Sequence, residues 1–263
     1  MNSKIANPAD LEWQNGLPVV IPDWPAPAGV RACTTTRQGG VSQGPWESLN
    51  LGAGVDDAPE AVADNRRRLA HAQDLPGEPC WLAQVHGDRV VHLPDHGRQP
   101  TTADGAWTDR PGHVCAVLTA DCLPVLLCSR EGDRVAAVHA GWRGLAAGVI
   151  ETAVTALGGA RADLLAWLGP AISQDAFEVG PEVRRAFVSE DPGAAPCFRA
   201  GTGDRWHADL YELARRRLAR VEVHEVWGGH WCTAGQAPWF YSHRRDGVCG
   251  RMASVIWLTG QRG

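Results

Sequence analysis

Cys122 and His139 are the residues on which chemistry can be built. A thiol and an imidazole stand at the ends of two apolar runs, and a second imidazole, His86, lies upstream in Gln84-Val85-His86-Gly87. Cys sulfur and His nitrogen are donors that zinc takes, and one Cys with two His leaves one corner of a tetrahedron open, as catalytic rather than structural zinc sites do. The spacing fits no short finger motif, so any convergence has to be tertiary. The same residues admit another chemistry: a thiolate either binds a metal or attacks a carbonyl, here with His139 as base and Asp121 as the group that orients it. Taken singly, a Cys at a buried strand end is most often inert, and a His before a Gly is most often a loop residue.

The elements that must position these groups are strands. Residues 114–119 form an apolar run that enters Ala120-Asp121-Cys122-Leu123-Pro124, residues 125–128 leave it, and residues 134–138 stop at His139 after a turn at Glu131-Gly132-Asp133. Val- and Leu-rich runs of this length suit strands buried on both faces, and loops at strand ends are where open α/β sheets build their sites. Gly87-Asp88 between residues 82–85 and 89–93 predicts a hairpin with His86 at its turn. Asp57, Pro59 and Glu60 read as an N-cap, a first-turn proline and a capping-box partner for a helix to about residue 74, with Val62, Leu69 and Ala70 inward and Arg66, Arg67 and Arg68 on a solvated face. A second helix is expected over residues 145–157, with Arg143 near its start, where free N–H groups favour an anion. Further strands are expected over 17–21, 30–36, 164–168, 221–227 and 252–258, and further helices over 181–188 and 209–221. The loop Arg37-Gln38-Gly39-Gly40 offers close backbone approach and a guanidinium that can fork onto a phosphate or carboxylate. Trp142 and Trp107 flank the metal-capable residues and offer aromatic faces on which a flat ring can stack.

Three blocks, Gln84-Val85-His86-Gly87, Thr119-Ala120-Asp121-Cys122-Leu123-Pro124 and His139-Ala140-Gly141-Trp142-Arg143-Gly144, resemble the signatures of the YfiH/LACC-like family. The resemblance extends in order through Thr36 to Ser42, Ser48 to Gly52, Ala103-Asp104-Gly105, Gly169 to Ile172, Cys232-Thr233 and Tyr241 to Arg245, nearly the whole chain. Polyphenol oxidase, purine nucleoside phosphorylase and cell-wall precursor editing activities are all ascribed to that family. The resemblance implies one zinc held by His86, Cys122 and His139. It also implies a cleft for a purine nucleoside and phosphate, and phosphorolysis of adenosine, inosine or methylthioadenosine with adenosine deamination beside it. By motif position, Asp104 and Asp121 are candidates for proton transfer or for orienting a ligating His, Arg37 and Arg143 for phosphate, Asn50 for a ribose hydroxyl and Trp142 for the base. The alternative is a cysteine hydrolase acting on an amide, with Cys122 as nucleophile. A multicopper oxidase is the weaker expectation: the 10 histidines contain no H-x-H pair, and one Cys with two His cannot supply both a blue-copper centre and a copper cluster.

Composition sets the remaining bounds. With 263 residues, 44% of them hydrophobic, the chain can bury one sizeable core, and no Pro/Gly/Ser linker divides it, so one domain over 1–263 is expected. Strands and helices interleave without a regular βαβ period or a G-x-G-x-x-G fingerprint, which predicts a mixed α/β fold of the α+β kind, sheet layers flanked by helices. The net charge of −5 gives no electrostatic case for nucleic acid. The 8 cysteines include no C-x-x-C pair, residues 1–8 carry no apolar leader core, and no run is long enough to span a bilayer, so a cytoplasmic protein with reduced thiols is expected.

Overall fold

In the computed structural model, which describes residues 11–94 and 100–260, the side chains of each long strand alternate between two different cores. Of the strand Val114–Thr119, Cys115 and Val117 enter one core and Val114 and Ala116 another. Of Leu123–Ser129, Leu126 and Cys128 share the core of Cys115, while Leu123, Val125 and Leu127 enter a third. This period-two division between apolar layers makes such strands read as continuous hydrophobic runs.

The strands in chain order are β1 Glu12–Gln14, β2 Leu17–Val20, β3 Val30–Thr35, β4 Pro79–Cys80, β5 Val90–His92, β6 Gly105–Thr108, β7 Val114–Thr119, β8 Leu123–Ser129, β9 Val135–Ala140, β10 Leu164–Leu168, β11 Glu178–Val179, β12 Phe198–Ala200, β13 Trp206–Ala208, β14 Glu225–Gly228 and β15 Met252–Leu258. The helices are α1 Pro59–Ala72, α2 Trp142–Ala147, α3 Val149–Leu157, α4 Pro181–Val188, α5 Leu210–Arg220 and α6 His243–Asp246. One sheet runs β1-β2-β3-β15-β7-β4 and a second runs β14-β10-β8-β9-β6-β5. They share the middle core of Val117, Leu126, Ala137 and Ile256. Leu69 and Ala72 of α1 cover the outer face of the first sheet against Val19 and Val255. Helices α3, α4 and α5, with the small sheet β11-β13-β12, cover the outer face of the second. The result is the expected mixed α/β fold, layered helix, sheet, sheet, helix.

Chain position 120–122 is the crossing between the two sheets. Strand β7 ends in the first sheet at Thr119, Asp121 adopts φ +87°, and β8 begins in the second sheet at Leu123. Strand β8 then pairs antiparallel with β9 through the expected turn, setting Pro124 opposite His139.

Several local expectations are corrected. Residues 82–85 make no hairpin with 89–93. The Gln84 amide instead pairs with Leu118, donating to its carbonyl (2.9 Å) and accepting from its N–H (2.7 Å), and β5 runs parallel to β6. The cap of α1 is Ala58: Asp57 turns inward to accept from Ser42 (2.6 Å) and Asn50 (2.9 Å). Of the three arginines on α1, Arg67 and Arg68 do pair with Asp64 at the surface. Arg66 lies instead over the Trp81 ring (4.1 Å) and donates to the Leu51 carbonyl. The helix predicted over 145–157 starts earlier, at Trp142, and breaks at Gly148, whose φ of +97° is left-handed and suits glycine. Strand 221–227 shortens to β14, because Val221 closes α5 and Glu222 turns with φ +62°. The amino-terminal stretch read for a leader lies outside the described residues.

Candidate metal centre

The carboxylate of Asp104 assembles the centre. It is fully buried just before β6, where burial opposes its charge, but hydrogen bonds from His139 and from the N–H groups of Gly87 and Val85 hold its pKa below the usual carboxylate range. Its Oδ2 accepts from Gly87 N (2.7 Å) and Val85 N (3.2 Å), and its Oδ1 accepts from His86 N (2.9 Å). Three successive backbone donors thus go to one side chain instead of a ladder, and His86 takes φ +61°. The same Oδ1 accepts from His139 Nδ1 (2.8 Å), which fixes the tautomer and leaves Nε2 as the free donor atom of that ring. The His139 N–H also donates to the Asp104 carbonyl (2.7 Å), so ring and backbone are both registered.

His86, Cys122 and His139 converge: their donor atoms all lie within 4.8 Å of one another, with Cys122 Sγ 3.9 Å from His86 Nε2 and the two imidazoles edge to face at 4.8 Å. Zinc bonds of about 2.1 Å to nitrogen and about 2.3 Å to sulfur would set tetrahedral donors roughly 3.6 Å apart, so two imidazoles and a thiol at this spacing fit a single zinc. Room for them depends on Gly141. A Cβ there would lie 2.9 Å from His86 Cδ2 and 3.1 Å from Cys122 Sγ. Gly144 is bound similarly, since a Cβ would meet the Gly87 carbonyl at 2.6 Å. The glycines of the His-Gly and Ala-Gly-Trp-Arg-Gly blocks therefore pack on each other around the donors.

Burial opposes ionisation of Cys122, but the His139 and His86 imidazoles overcome it and bring the thiol down to about 6. Burial likewise opposes the charged form of His139, but the Cys122 thiolate and Asp104 raise it to about 9. Without a metal, the centre is a thiolate beside an imidazolium at neutral pH.

The three donors open on a cleft of about 920 Å³ whose described lining includes Arg66, Arg143, Arg251, Trp81, Thr119 and His243, and no carboxylate. Arg143 stacks on Trp142 (4.4 Å) and is exposed. Trp142 itself packs against the helix-side core beneath it. Trp107 stacks on His92 (4.1 Å), away from the cleft lining. Arg37 lines a separate recess with Glu47 and Ala237, donating to both carbonyls, and lies over Tyr241. Asn50 is fully buried, and its amide is spent on Gly52 N and O, Asp57 and Arg251 N, so it braces two cleft residues, Gly52 and Arg251. Asp121 faces away from the donors and accepts from Thr233 Oγ1 (2.6 Å), Ser242 Oγ (3.0 Å) and Arg244 N (2.7 Å). The residues the sequence reading missed are Arg66, Trp81, Arg251 and His243. Arg66 was legible: it stands four residues after Val62 and three before Leu69, on the buried side of α1.

A family model described as multi-copper polyphenol oxidoreductase laccase matches residues 31–259. Purine nucleoside phosphorylase YfiH of Escherichia coli K12 is 52% identical over 240 residues, 91% of this chain and 98% of the relative. Purine nucleoside phosphorylase PA4543 of Pseudomonas aeruginosa is 55% identical over 238 residues, 90% of this chain and 97% of the relative. The crystal structure of Neisseria meningitidis protein NMB0706 superposes with a TM-score of 0.88 at 48% identity, covering 92% of this chain and 99% of that one. That of YlmD from Geobacillus stearothermophilus gives 0.85 at 30% identity, covering 95% and 99%. Signature blocks, fold and relatives agree, and the chain belongs to the YfiH/LACC-like family, the one the laccase-like family model describes.

Proposed function

We infer that the protein is a purine nucleoside phosphorylase whose catalytic cleft holds one zinc on His86, Cys122 and His139. The observation that carries the reading is a three-donor centre opening on a cleft with three arginines and no carboxylate among its described lining residues. Such a lining favours an anionic co-substrate, and the relatives named as purine nucleoside phosphorylases, at 52% and 55% identity over nine-tenths of the chain, support phosphate as that anion.

Zinc on these donors would supply a Lewis-acid charge at the cleft floor. The chain's own residues do the rest. Arg143, Arg66 and Arg251 bind and orient phosphate by charge-assisted hydrogen bonds. Trp81, already stacked on Arg66, offers an aromatic wall for the purine. Asp104 holds His139 in the donor tautomer, and Asp121 and Asn50 act as positioning residues, not as groups that touch substrate. Arg37 is assigned to the neighbouring recess and not to the phosphate pocket. Attack of a phosphate oxygen at the ribose C1′ displaces the base, giving ribose 1-phosphate. Adenosine deamination in the same cleft is part of this reading, and in phosphate-free buffer it would yield inosine. One Cys and two His are too few donors for the several coppers of a laccase, and they form the single such cluster among the described residues.

One observation favours a second reading. Cys122, His139 and Asp104 stand in the order nucleophile, base, orienter, and the thiol is already acidic. In the cysteine-hydrolase alternative Asp104, not Asp121, takes the orienting role. His86 has no task in such a triad, which is why the metal centre is preferred.

Purified protein incubated with inosine should form free hypoxanthine and ribose 1-phosphate only when inorganic phosphate is present, as followed by chromatography of both products. Free ribose as the sole sugar product would overturn phosphorolysis.

A further inference from the structure

Departure of a purine leaves electron density on the base that a proton must neutralise, and the cleft offers few groups able to give one. Its described lining contains no Asp, Glu, Lys or Tyr, and its arginines stay charged at every working pH. The imidazoles and the thiol of that lining are His86, Cys122, His139 and His243. The first three are committed to the metal centre. His243 remains.

The structure fixes which nitrogen of His243 can meet a ligand. Its Nδ1 lies 2.6 Å from the Gly247 carbonyl, an acceptor only, so Nδ1 carries hydrogen and Nε2 is the nitrogen free for a ligand. Helix α6 is pinned from both sides. Ser242 Oγ and Arg244 N donate to Asp121, the neighbour of Cys122, and Arg244 reaches the carbonyl of Glu178 (2.7 Å). Arg245 donates to the carbonyls of Thr233 and Phe240. Asp121 therefore ties the residues on each side of His243 to the neighbour of Cys122, through the Ser242 hydroxyl and the Arg244 N–H.

Resting on the phosphorylase reading above, we propose that His243 is the general acid that protonates the departing purine at N7. The C1′–N9 bond breaks with its electron pair passing to the base, and a C1′–O bond forms to phosphate. His243 acts in its imidazolium form, in which both ring nitrogens carry hydrogen, and its Nε2 proton goes to N7. The proton lost by hydrogenphosphate as it becomes the ribose 1-phosphate dianion restores the imidazolium, so the cycle closes without another reagent.

The test compares inosine with 7-methylinosine, whose base is already cationic and leaves without protonation. His243→Gln and His243→Ala should lower kcat for inosine phosphorolysis by roughly 100-fold or more, while 7-methylinosine turnover falls less than about threefold and zinc content matches the wild type. Equal losses on both substrates would assign His243 a structural or binding role and overturn the proposal. Undiminished inosine turnover would overturn it as well. A wild-type protein that cleaves neither nucleoside with phosphate would instead remove the phosphorylase reading, and this inference with it.

Discussion

Asp104 is the residue on which the centre depends most, because one carboxylate satisfies three backbone donors and one imidazole. In Asp104→Asn an amide NH2 must face donors where an oxygen stood. The metal centre should weaken about 10–100-fold, as losses of a carboxylate behind a ligating His do. A buried donor left unpaired should cost about 1–3 kcal/mol. Titration with a chromophoric zinc chelator measures the first and urea unfolding the second; unchanged zinc affinity would remove Asp104 from its role. The coupled ionisations give a second expectation at this scale. With the Cys122 thiol brought down to about 6 and His139 raised to about 9, metal-free protein at pH 7.5 holds a thiolate and an imidazolium. Zinc needs both donors deprotonated, so binding should release about one proton per site, from His139. As pH falls through about 6, Cys122 takes up a proton too and affinity should fall more steeply. Calorimetry in two buffers of different ionisation enthalpy counts the protons; no release at pH 7.5 would contradict the ion pair.

Between elements, Asp121 is the tie. At φ +87° it turns the chain from β7 into β8, and its carboxylate collects Thr233, the α6 cap Ser242 and Arg244 of α6 itself. Asp121→Ala should destabilise the protein by about 2–4 kcal/mol, the sum of a strained left-handed residue and lost bonds to a charged acceptor. Asp121→Asn, which tolerates that backbone and keeps one acceptor oxygen, should cost less. Urea midpoints of the two variants give the comparison, and equal losses would mean that backbone conformation is irrelevant there. Elements that answer to apolar period alone were legible in the sequence: β7, β8, β9, β10 and β15 stand within a residue or two of the runs read as strands. Where one side chain captures backbone groups the reading failed, because periodicity carries no trace of Asp104 claiming the N–H groups of residues 85–87 or of Gln84 pairing with Leu118. The three donors were legible as types and motifs. Their convergence, and which of the two candidates Asp104 and Asp121 orients His139, depend on contacts across the two sheets that no spacing along the chain encodes.

At the scale of the molecule, the centre sits where the chain crosses between two sheets that share an apolar core, so Cys122 and His139 stand at the ends of buried strands. All 8 cysteines are free thiols, and of them Cys33, Cys115, Cys128, Cys197 and Cys249 are pushed up in pKa by burial, whereas Cys122 is drawn down. No helix among the described residues is long and apolar enough to cross a membrane. The central claim is that His86, Cys122 and His139 act as one coordination sphere on which turnover depends, and the most direct measurement is zinc content paired with inosine phosphorolysis in His86→Ala beside Cys122→Ala. The account predicts that both variants lose bound zinc and that both fall to similarly low activity, at least about 100-fold below the wild type, because each opens the same sphere. A His86→Ala protein that keeps substantial activity, or a Cys122→Ala protein that keeps stoichiometric zinc while activity is abolished, would contradict it and make Cys122 a nucleophile.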